Sequence, residues 1–381
     1  MALPEPTPEA RAHSDRVAEH IRGEIAGGGG WISFARYMEL ALYAPGLGYY
    51  SAGARKLGKA GDFVTAPEIS PLYGQTLARQ VHEILHAGFD EVLEVGAGSG
   101  ALAATLLEEL ERSGRPPRNY LILELSAELR ERSRDTLAAR VPHLLERVAW
   151  LNRLPPAFSG VVLGNEVLDA MPANVVRVHR GNIEEGGVGI RSDRLGWSWR
   201  LASGELLEAA RALDLAEGFH TEIALAARGF IRSLAGVLEK GVALFVDYGF
   251  PGKEYYHAQR REGTLMCHYR HYAHSDPFFV PGLQDITSHV DFSAVASAGR
   301  ASGLELAGYT SQAQFLVNCG ITEVMSRTPA EDGAKFLPLA NQANRLMSPA
   351  EMGELFKVIA LSRGFTAPLA GFREGDRRQA L

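Results

Sequence analysis

Apolar residues recur along this chain in two rhythms, and the rhythm changes near Phe89. Before it, the spacing is helical. A polar helix is predicted over Pro8 to Glu24, followed by the run Gly27 to Gly30, which reads as a linker or hinge. Ser33 then stands as an N-cap before Phe34, Tyr37, Met38, Ala41 and Leu42, and Pro45 ends that helix. Gly46 to Gly61 carries five glycines together with Tyr49, Tyr50, Arg55, Lys56 and Lys59, a loop of a length that is usually functional or disordered.

From Phe89 onward short apolar runs alternate with amphipathic ones. Strands are predicted at Glu91 to Val95, Tyr120 to Leu125, Val148 to Leu151, Gly160 to Leu163 and Val242 to Asp247. Helices are predicted at Ala101 to Ser113, closed by Gly114, at Ala127 to Leu137, and across Glu222 to Glu239. Such alternation predicts an α/β fold with a parallel sheet covered on both faces. Two stretches interrupt it: Val175 to Arg200 reads as β-hairpins, and Gly249 to Phe292 is rich in His, Tyr and Phe. The tail adds strands at Leu304 to Thr310 and Phe356 to Leu361, with helices around Ala313 to Cys319 and Lys335 to Met347.

Composition narrows the classes. At 381 residues the chain predicts two to three domains of about 150 residues, or one large domain with insertions. The hydrophobic fraction of 46% and charged fraction of 22% exclude a disordered or collagen-like chain, and without an apolar run of about 18 residues no membrane span is expected. A net charge of −6, with no segregated basic segment, argues against a nucleic-acid partner. Two cysteines, Cys267 and Cys319, make no disulfide framework and suit a reducing, cytoplasmic setting. The N-terminus has prolines and acids where a signal or transit peptide would not, so the mature chain is expected to start here. Glycine is the outlier: ten of its 41 residues fall between Gly23 and Gly61.

The chemistry concentrates at two strand ends. Glu91-Val-Leu-Glu94-Val-Gly96-Ala-Gly98-Ser-Gly100 reads as a strand, a glycine-rich turn and a helix start, which suits a nucleotide-like ligand. Taken alone, the pattern also satisfies a dinucleotide-binding loop. Two details favour S-adenosylmethionine: Glu94, in a place where dehydrogenase strands are apolar, can face an ammonium, and the close Gly-x-Gly-x-Gly needs no diphosphate. Glu124, 24 positions after Gly100, would take ribose hydroxyls under either reading. The second strand end is Gly164-Asn165-Glu166-Val-Leu-Asp169-Ala-Met-Pro172, where Asn165 and Glu166 can hold cofactor and methyl acceptor. The carboxylates of Glu166 and Asp169, within one turn, suit a guanidinium; alternatively Asp169 caps a helix near Ala170. Cys267, His268, His271 and His274 at spacings of three could meet a metal on one helical face, but Tyr269, Tyr272, Phe278 and Phe279 around them favour an aromatic lid or groove, and no metal is expected.

Gly61-Asp-Phe-Val-Thr-Ala-Pro-Glu-Ile-Ser70 with Gly74, Glu94 to Gly100, Gly164 to Pro172, Val246-Asp-Tyr-Gly249 and Gly282 to Phe292 together resemble the MidA-type methyltransferases, bacterial relatives of the mitochondrial protein-arginine methyltransferase that assists respiratory complex I assembly. The resemblance runs from about Ile32 to Gly364. It implies a class I S-adenosylmethionine-dependent, Rossmann-like doubly wound sheet with an N-terminal cap and substrate-side insertions. The domains expected are a helical cap and glycine-rich lid over 1–80 and a cofactor-binding core over 81–381, with insertions at about 175–220 and 250–300. The resemblance places the cofactor against Gly96, Ala97, Gly98 and Gly100, with Glu124 and Leu125 at the ribose side, Asn165 and Glu166 beside the methyl group, and Gly61, Asp62, Thr65 and Pro67 closing over it. The acceptor implied is arginine in a partner protein, in a bacterial cytoplasm. Were it arginine, Glu166 and Asp169 would orient the guanidinium, and His289, or Asp285 in the same motif, would take the proton; His289 alternatively binds a backbone carbonyl. The readings left open beside it are a small-molecule N- or O-methyltransferase, a NAD-linked oxidoreductase and a non-catalytic assembly factor. A homodimer through the hairpins of Val175 to Leu201 is also open.

Overall fold

The computed structural model describes residues 3–52 and 64–381. By its contacts the chain forms two compact units: residues 64–168, 230–251 and 292–381 make one, and residues 3–52, 169–229 and 252–291 the other.

The first unit is built on seven strands of one sheet. Counted along the chain its strands are Glu91–Val95, Asn119–Leu123, Val148–Leu151, Phe158–Asn165, Leu238–Phe250, Glu305–Ser311 and Phe356–Arg363, and across the sheet they lie in the order 3-2-1-4-5-7-6. The first five pair in parallel. The last strand runs antiparallel to both of its neighbours. The strands are apolar runs because both faces are packed: Val92, Ile122, Val161, Leu163, Val242 and Leu244 lie in a core with Leu77, Val81, Leu106 and Leu110 from the helices Pro71–His86 and Ala101–Arg112. The order reverses between Glu91–Val95 and Phe158–Asn165, so that Val95 stands beside Gly164 and Asn165 beside Val246. Ligands of open α/β sheets bind at this kind of switch point, beyond the carboxyl ends of the strands.

The second unit is antiparallel. Asn182–Arg191 pairs with Asn174–His179, with Arg194–Leu201 and with the short strand Ile32–Ser33, and His220–Ile223 extends the sheet. Helices Pro8–Gly27 and Phe34–Tyr43 bury Val17, Ile21, Phe34, Tyr37 and Met38 in a core with Val188 and Ile286. Ser33 caps the second helix, accepting from the Arg36 N–H at 3.2 Å. A three-stranded sheet of Met266–Tyr269, Tyr272–His274 and Asp285–Thr287 completes the unit. Among the described residues no helix is long and apolar enough to cross a membrane.

Several expectations are corrected here. The glycine run closes a helix that extends to Gly27, with the Gly28 N–H bonded to the Glu24 carbonyl, so it is a cap and not a hinge. The stretch expected as a helix from Glu222 begins as the strand His220–Ile223; the helix is Leu225–Val237, and residues 238 and 239 already belong to the strand Leu238–Phe250. Residues 266–274 form a hairpin turning on Arg270 and His271, both at positive φ, so Cys267 and His268 point to opposite faces and share no helical face. Among the described residues no group of three or more metal-ligating side chains is gathered. A division at residue 80 would cut the helix Pro71–His86.

Candidate active site

In the sheet-based unit the glycine loop follows Val95 and precedes the helix Ala101–Arg112. Gly96, Gly98 and Gly100 all have left-handed φ, of 68°, 54° and 80°, a conformation that costs any residue with a Cβ about 1–2 kcal/mol. A Cβ on Gly100 would also lie 2.9 Å from the Ser133 backbone. The loop is tied to its surroundings: the Gly96 N–H donates to the Leu123 carbonyl, and Ser99 Oγ donates to the Glu68 carboxylate.

Two buried acids flank this loop. Glu94, 2% exposed, accepts from the Tyr120 hydroxyl at 2.6 Å. Burial pushes its carboxyl up to about 7, against the pull of the Tyr120 bond and with the Glu124 charge adding to the rise. Glu124 lies just past the strand Asn119–Leu123 and accepts from the Ser126 N–H at 3.0 Å. Burial raises its carboxyl too, opposed by backbone N–H groups of Ser126, Gly98 and Leu125. Leu125, the next residue, is 72% exposed.

At the neighbouring strand end, Asn165 Nδ2 donates to Glu166 Oε1 at 3.0 Å, and the Ala66 N–H approaches the same oxygen at 3.4 Å. Asn165 Oδ1 accepts from the Tyr73 hydroxyl at 2.5 Å. Glu166 adopts a left-handed φ of 52°, costly backbone of the kind that clusters at functional sites. Its N–H donates to the Val246 carbonyl at 2.8 Å, and Asp247, 1% exposed, accepts from the N–H groups of Val167 at 3.1 Å and Leu168 at 2.9 Å. Asp247 therefore sets the turn that presents Glu166. Thr65 precedes the short helix Ala66–Ile69, in which Pro67 is an N-terminal residue, so this segment meets both the glycine loop, through Glu68, and Glu166, through Ala66. Gly61 and Asp62 lie outside the described residues, as do Arg55, Lys56 and Lys59.

Asp169 and His289 belong to the antiparallel unit, where they are near each other: the Asp169 carbonyl accepts from the Ser288 N–H at 3.1 Å. Around them Tyr50 donates to Asp285 at 2.9 Å, Tyr43 donates to the Ala170 carbonyl at 2.8 Å, and the two rings stack at 5.4 Å. No helix begins at Ala170, so Asp169 is not a cap. The His289 N–H donates to Thr264 Oγ1 at 3.0 Å. Its imidazole is pushed down to about 4, first by burial and then by Arg260, and it bonds the Thr264 backbone. A ring with that pKa is neutral at physiological pH.

The site's donor set fits S-adenosylmethionine. A buried carboxylate whose pKa sits high for want of a cation suits an ammonium, a glycine loop of left-handed residues gives close backbone approach, and a second acid at the next strand end suits ribose hydroxyls. The model of a family described as S-adenosyl-L-methionine-dependent methyltransferases matches residues 76–310, more than half the chain. The chain belongs to this methyltransferase family. The resemblance to the MidA-type enzymes is thereby borne out, together with the Rossmann-like fold and the cofactor. The methyltransferase is similar to a protein from Burkholderia thailandensis crystallised with S-adenosyl-homocysteine, at 52% identity and TM-score 0.97 over all of both chains. It is also 30% identical to the mitochondrial protein arginine methyltransferase NDUFAF7 of Mus musculus, over 87% of this chain and 81% of that one, and 27% identical to that of Danio rerio over 94% and 92%. The NAD-linked reading is set aside.

Three residues of the methyltransferase carry structural weight that sequence reasoning did not assign. Asp247 lies in the Val-Asp-Tyr-Gly motif at a strand end, where the sequence alone does not reveal its clamp on the Glu166 turn. Tyr73 gave no signal beyond an apolar helical position. Glu222, a helix start by its sequence pattern, is a buried strand residue accepting from Tyr255, Thr264 and Leu265. It thereby anchors the turn whose Thr264 meets His289.

Proposed function

We propose that this methyltransferase transfers a methyl group to an arginine guanidinium of a partner protein, in a bacterial cytoplasm. The observation that carries the reading is Glu166: a carboxylate kept on strained backbone beside the glycine loop, with one oxygen fixed by Asn165. The naming of the NDUFAF7 relatives supports the same acceptor, two buried free thiols fit a reducing compartment, and the 52% identity to a Burkholderia protein fits a bacterial source.

S-adenosylmethionine, when bound, supplies an electrophilic methyl group on its sulfonium. What remains for the protein is alignment, exclusion of water and charge placement. We assign Glu94 to the cofactor's ammonium and the N–H groups around Gly96, Ala97 and Gly98 to its approach. Glu124 takes the ribose, and Leu125 lies alongside it. Glu166 orients the guanidinium as a planar acceptor for its fork of donors and concentrates a lone pair on the attacking nitrogen. As the N–C bond forms, the S–C bonding pair stays with the sulfur, and the proton lost by that nitrogen passes to the Glu166 carboxylate bonded to the guanidinium. His289, neutral and bonded to Thr264, positions the 285–291 segment in this reading rather than accepting that proton.

Mass spectrometry of proteins from cells with and without the gene tests the acceptor. The expected result is methylarginine peptides that vanish with the gene and return with the wild-type copy but not with Glu166→Gln. Methyl transfer confined to the small-molecule fraction would contradict it.

A further inference from the structure

The environment of Tyr73 is more specific than packing requires. It lies in the first turn of the helix Pro71–His86, whose N-cap is Ser70, and is 2% exposed. Burial, reinforced by the charges of Glu166, Asp247 and Glu94, holds its hydroxyl well above the ordinary tyrosine value, so the phenol keeps its one proton as a donor. That proton goes to Asn165 Oδ1 at 2.5 Å and not to a carboxylate. The choice settles which way the amide faces: with Oδ1 committed to Tyr73, Nδ2 must face Glu166, and it donates to Oε1 at 3.0 Å. Three side chains from two elements, separated by 92 residues of sequence, thus form one directed relay of hydrogen bonds.

We propose that Tyr73 is a positioning residue for methyl transfer, orienting the Glu166 carboxylate through the amide of Asn165. The proposal rests on the reading of Glu166 as the acceptor-binding carboxylate. The need for such a device follows from the backbone. At a φ of 52° glycine would be the relaxed choice, and a glutamate held there has its carboxylate fixed only by what bonds it. Without the hydroxyl, the amide can turn Oδ1 toward Glu166 Oε1, where two acceptors repel and the carboxylate loses the Nδ2 bond at 3.0 Å. The rest of the site stays in place, because the glycine loop and the Asp247 clamp on Val167 and Leu168 do not involve Tyr73.

The test is a double-mutant cycle on the full-length protein with Tyr73→Phe and Glu166→Gln. It reads the initial rate of tritiated methyl transfer from S-adenosylmethionine into proteins of a lysate from cells lacking the gene. Titration with S-adenosylhomocysteine serves as the control for an intact site. Tyr73→Phe is expected to keep S-adenosylhomocysteine affinity within about twofold and to lower the rate roughly 10- to 100-fold, the usual range for losing an orienting partner. In the Glu166→Gln background the same change should cost less than about twofold, since a residue acting through another is non-additive with it. Penalties that multiply would overturn the proposal, as would a loss of S-adenosylhomocysteine affinity that accounts for the rate. If Glu166→Gln alone leaves the rate intact, the reading of Glu166 fails; if Glu166→Gln is inactive but Tyr73→Phe is not, only the relay fails. Crystal structures of the S-adenosylhomocysteine complexes give a readout independent of any acceptor: a Glu166 carboxylate turned or split between rotamers in Tyr73→Phe is expected, and an unmoved one would overturn the relay.

Discussion

Glu94 and Glu109 lie fifteen residues apart on the same strand, loop and helix, and both are nearly inaccessible, at 2% and 4% exposed. Their surroundings are opposite. Glu109, on the helix Ala101–Arg112, is gripped by two guanidinium forks. Arg327 donates to its two oxygens at 3.0 and 2.8 Å, and Arg112 donates to the same two oxygens. Burial alone would raise its carboxyl, yet the two arginines hold it below the ordinary range. Glu94 accepts from a tyrosine hydroxyl, among the described residues it pairs with no arginine or lysine, and its carboxyl rises to about 7. A buried carboxylate is costly unless paired, so a glutamate given no cation beside the glycine loop supports the proposal that its cation arrives with the ligand. Strongly perturbed groups cluster at functional sites for this reason.

The comparison can be broken most forcefully at the loop between the two acids. Gly98→Val places a β-branched residue at a φ of 54° and disturbs the N–H that Glu124 accepts. S-adenosylhomocysteine affinity should fall by at least about 100-fold, on the scale of strained backbone plus a lost anchor, as read by calorimetric titration. Retained affinity would mean that the loop does not hold the cofactor.

The two glutamates should then separate by assay. Glu109→Gln removes both charge-assisted forks and is expected to cost about 2 kcal/mol of stability, measured by denaturant unfolding, while leaving S-adenosylhomocysteine affinity within about twofold. Because its arginines are about half-exposed and regain water, a larger loss is not expected. Glu94→Gln should do the reverse. Its folded pKa is raised, so the carboxyl contributes its stability at low pH and loses it as pH rises through about 7. The variant without ligand should therefore melt above wild type at pH 8 and match it more closely near pH 5, while binding S-adenosylhomocysteine about tenfold more weakly at pH 8. Equal behaviour of the two variants in both assays would dissolve the distinction.

How far the sequence disclosed this arrangement depends on the reach of each interaction. Local signals were legible: the strand, glycine loop and helix from Glu91, the N-cap at Ser33, the parallel alternation, and Glu94 as an acid in an apolar strand. What was hidden depends on partners far along the chain. Arg327 reaches Glu109 across 218 residues, and Tyr73 reaches Asn165 across 92. Asp247 clamps the Val167 and Leu168 amides from the neighbouring strand, and no periodicity encodes such a bond. The left-handed φ of Glu166 was likewise invisible, because glutamate is not a residue that signals that conformation. Glu222 misled because a charged residue before an apolar helical run resembles a helix start, whereas here it pairs with Val175 in a sheet and is buried by the turn it anchors. The Cys267 to His274 run misled through its spacing of three, which suits a helix but falls on a hairpin.

The pH dependence of binding bears most directly on the central proposal, that Glu94 is buried without a protein cation because the cofactor provides one. S-adenosylhomocysteine affinity should be measured at pH 6 and pH 8, with wild type and Glu94→Gln side by side. With a carboxyl near 7, about a tenth of the protein is ionised at pH 6 and about nine-tenths at pH 8, so wild type should bind about tenfold more tightly at pH 8. Glu94→Gln should bind equally at both. A flat wild-type profile, or a slope that survives in Glu94→Gln, would contradict the account.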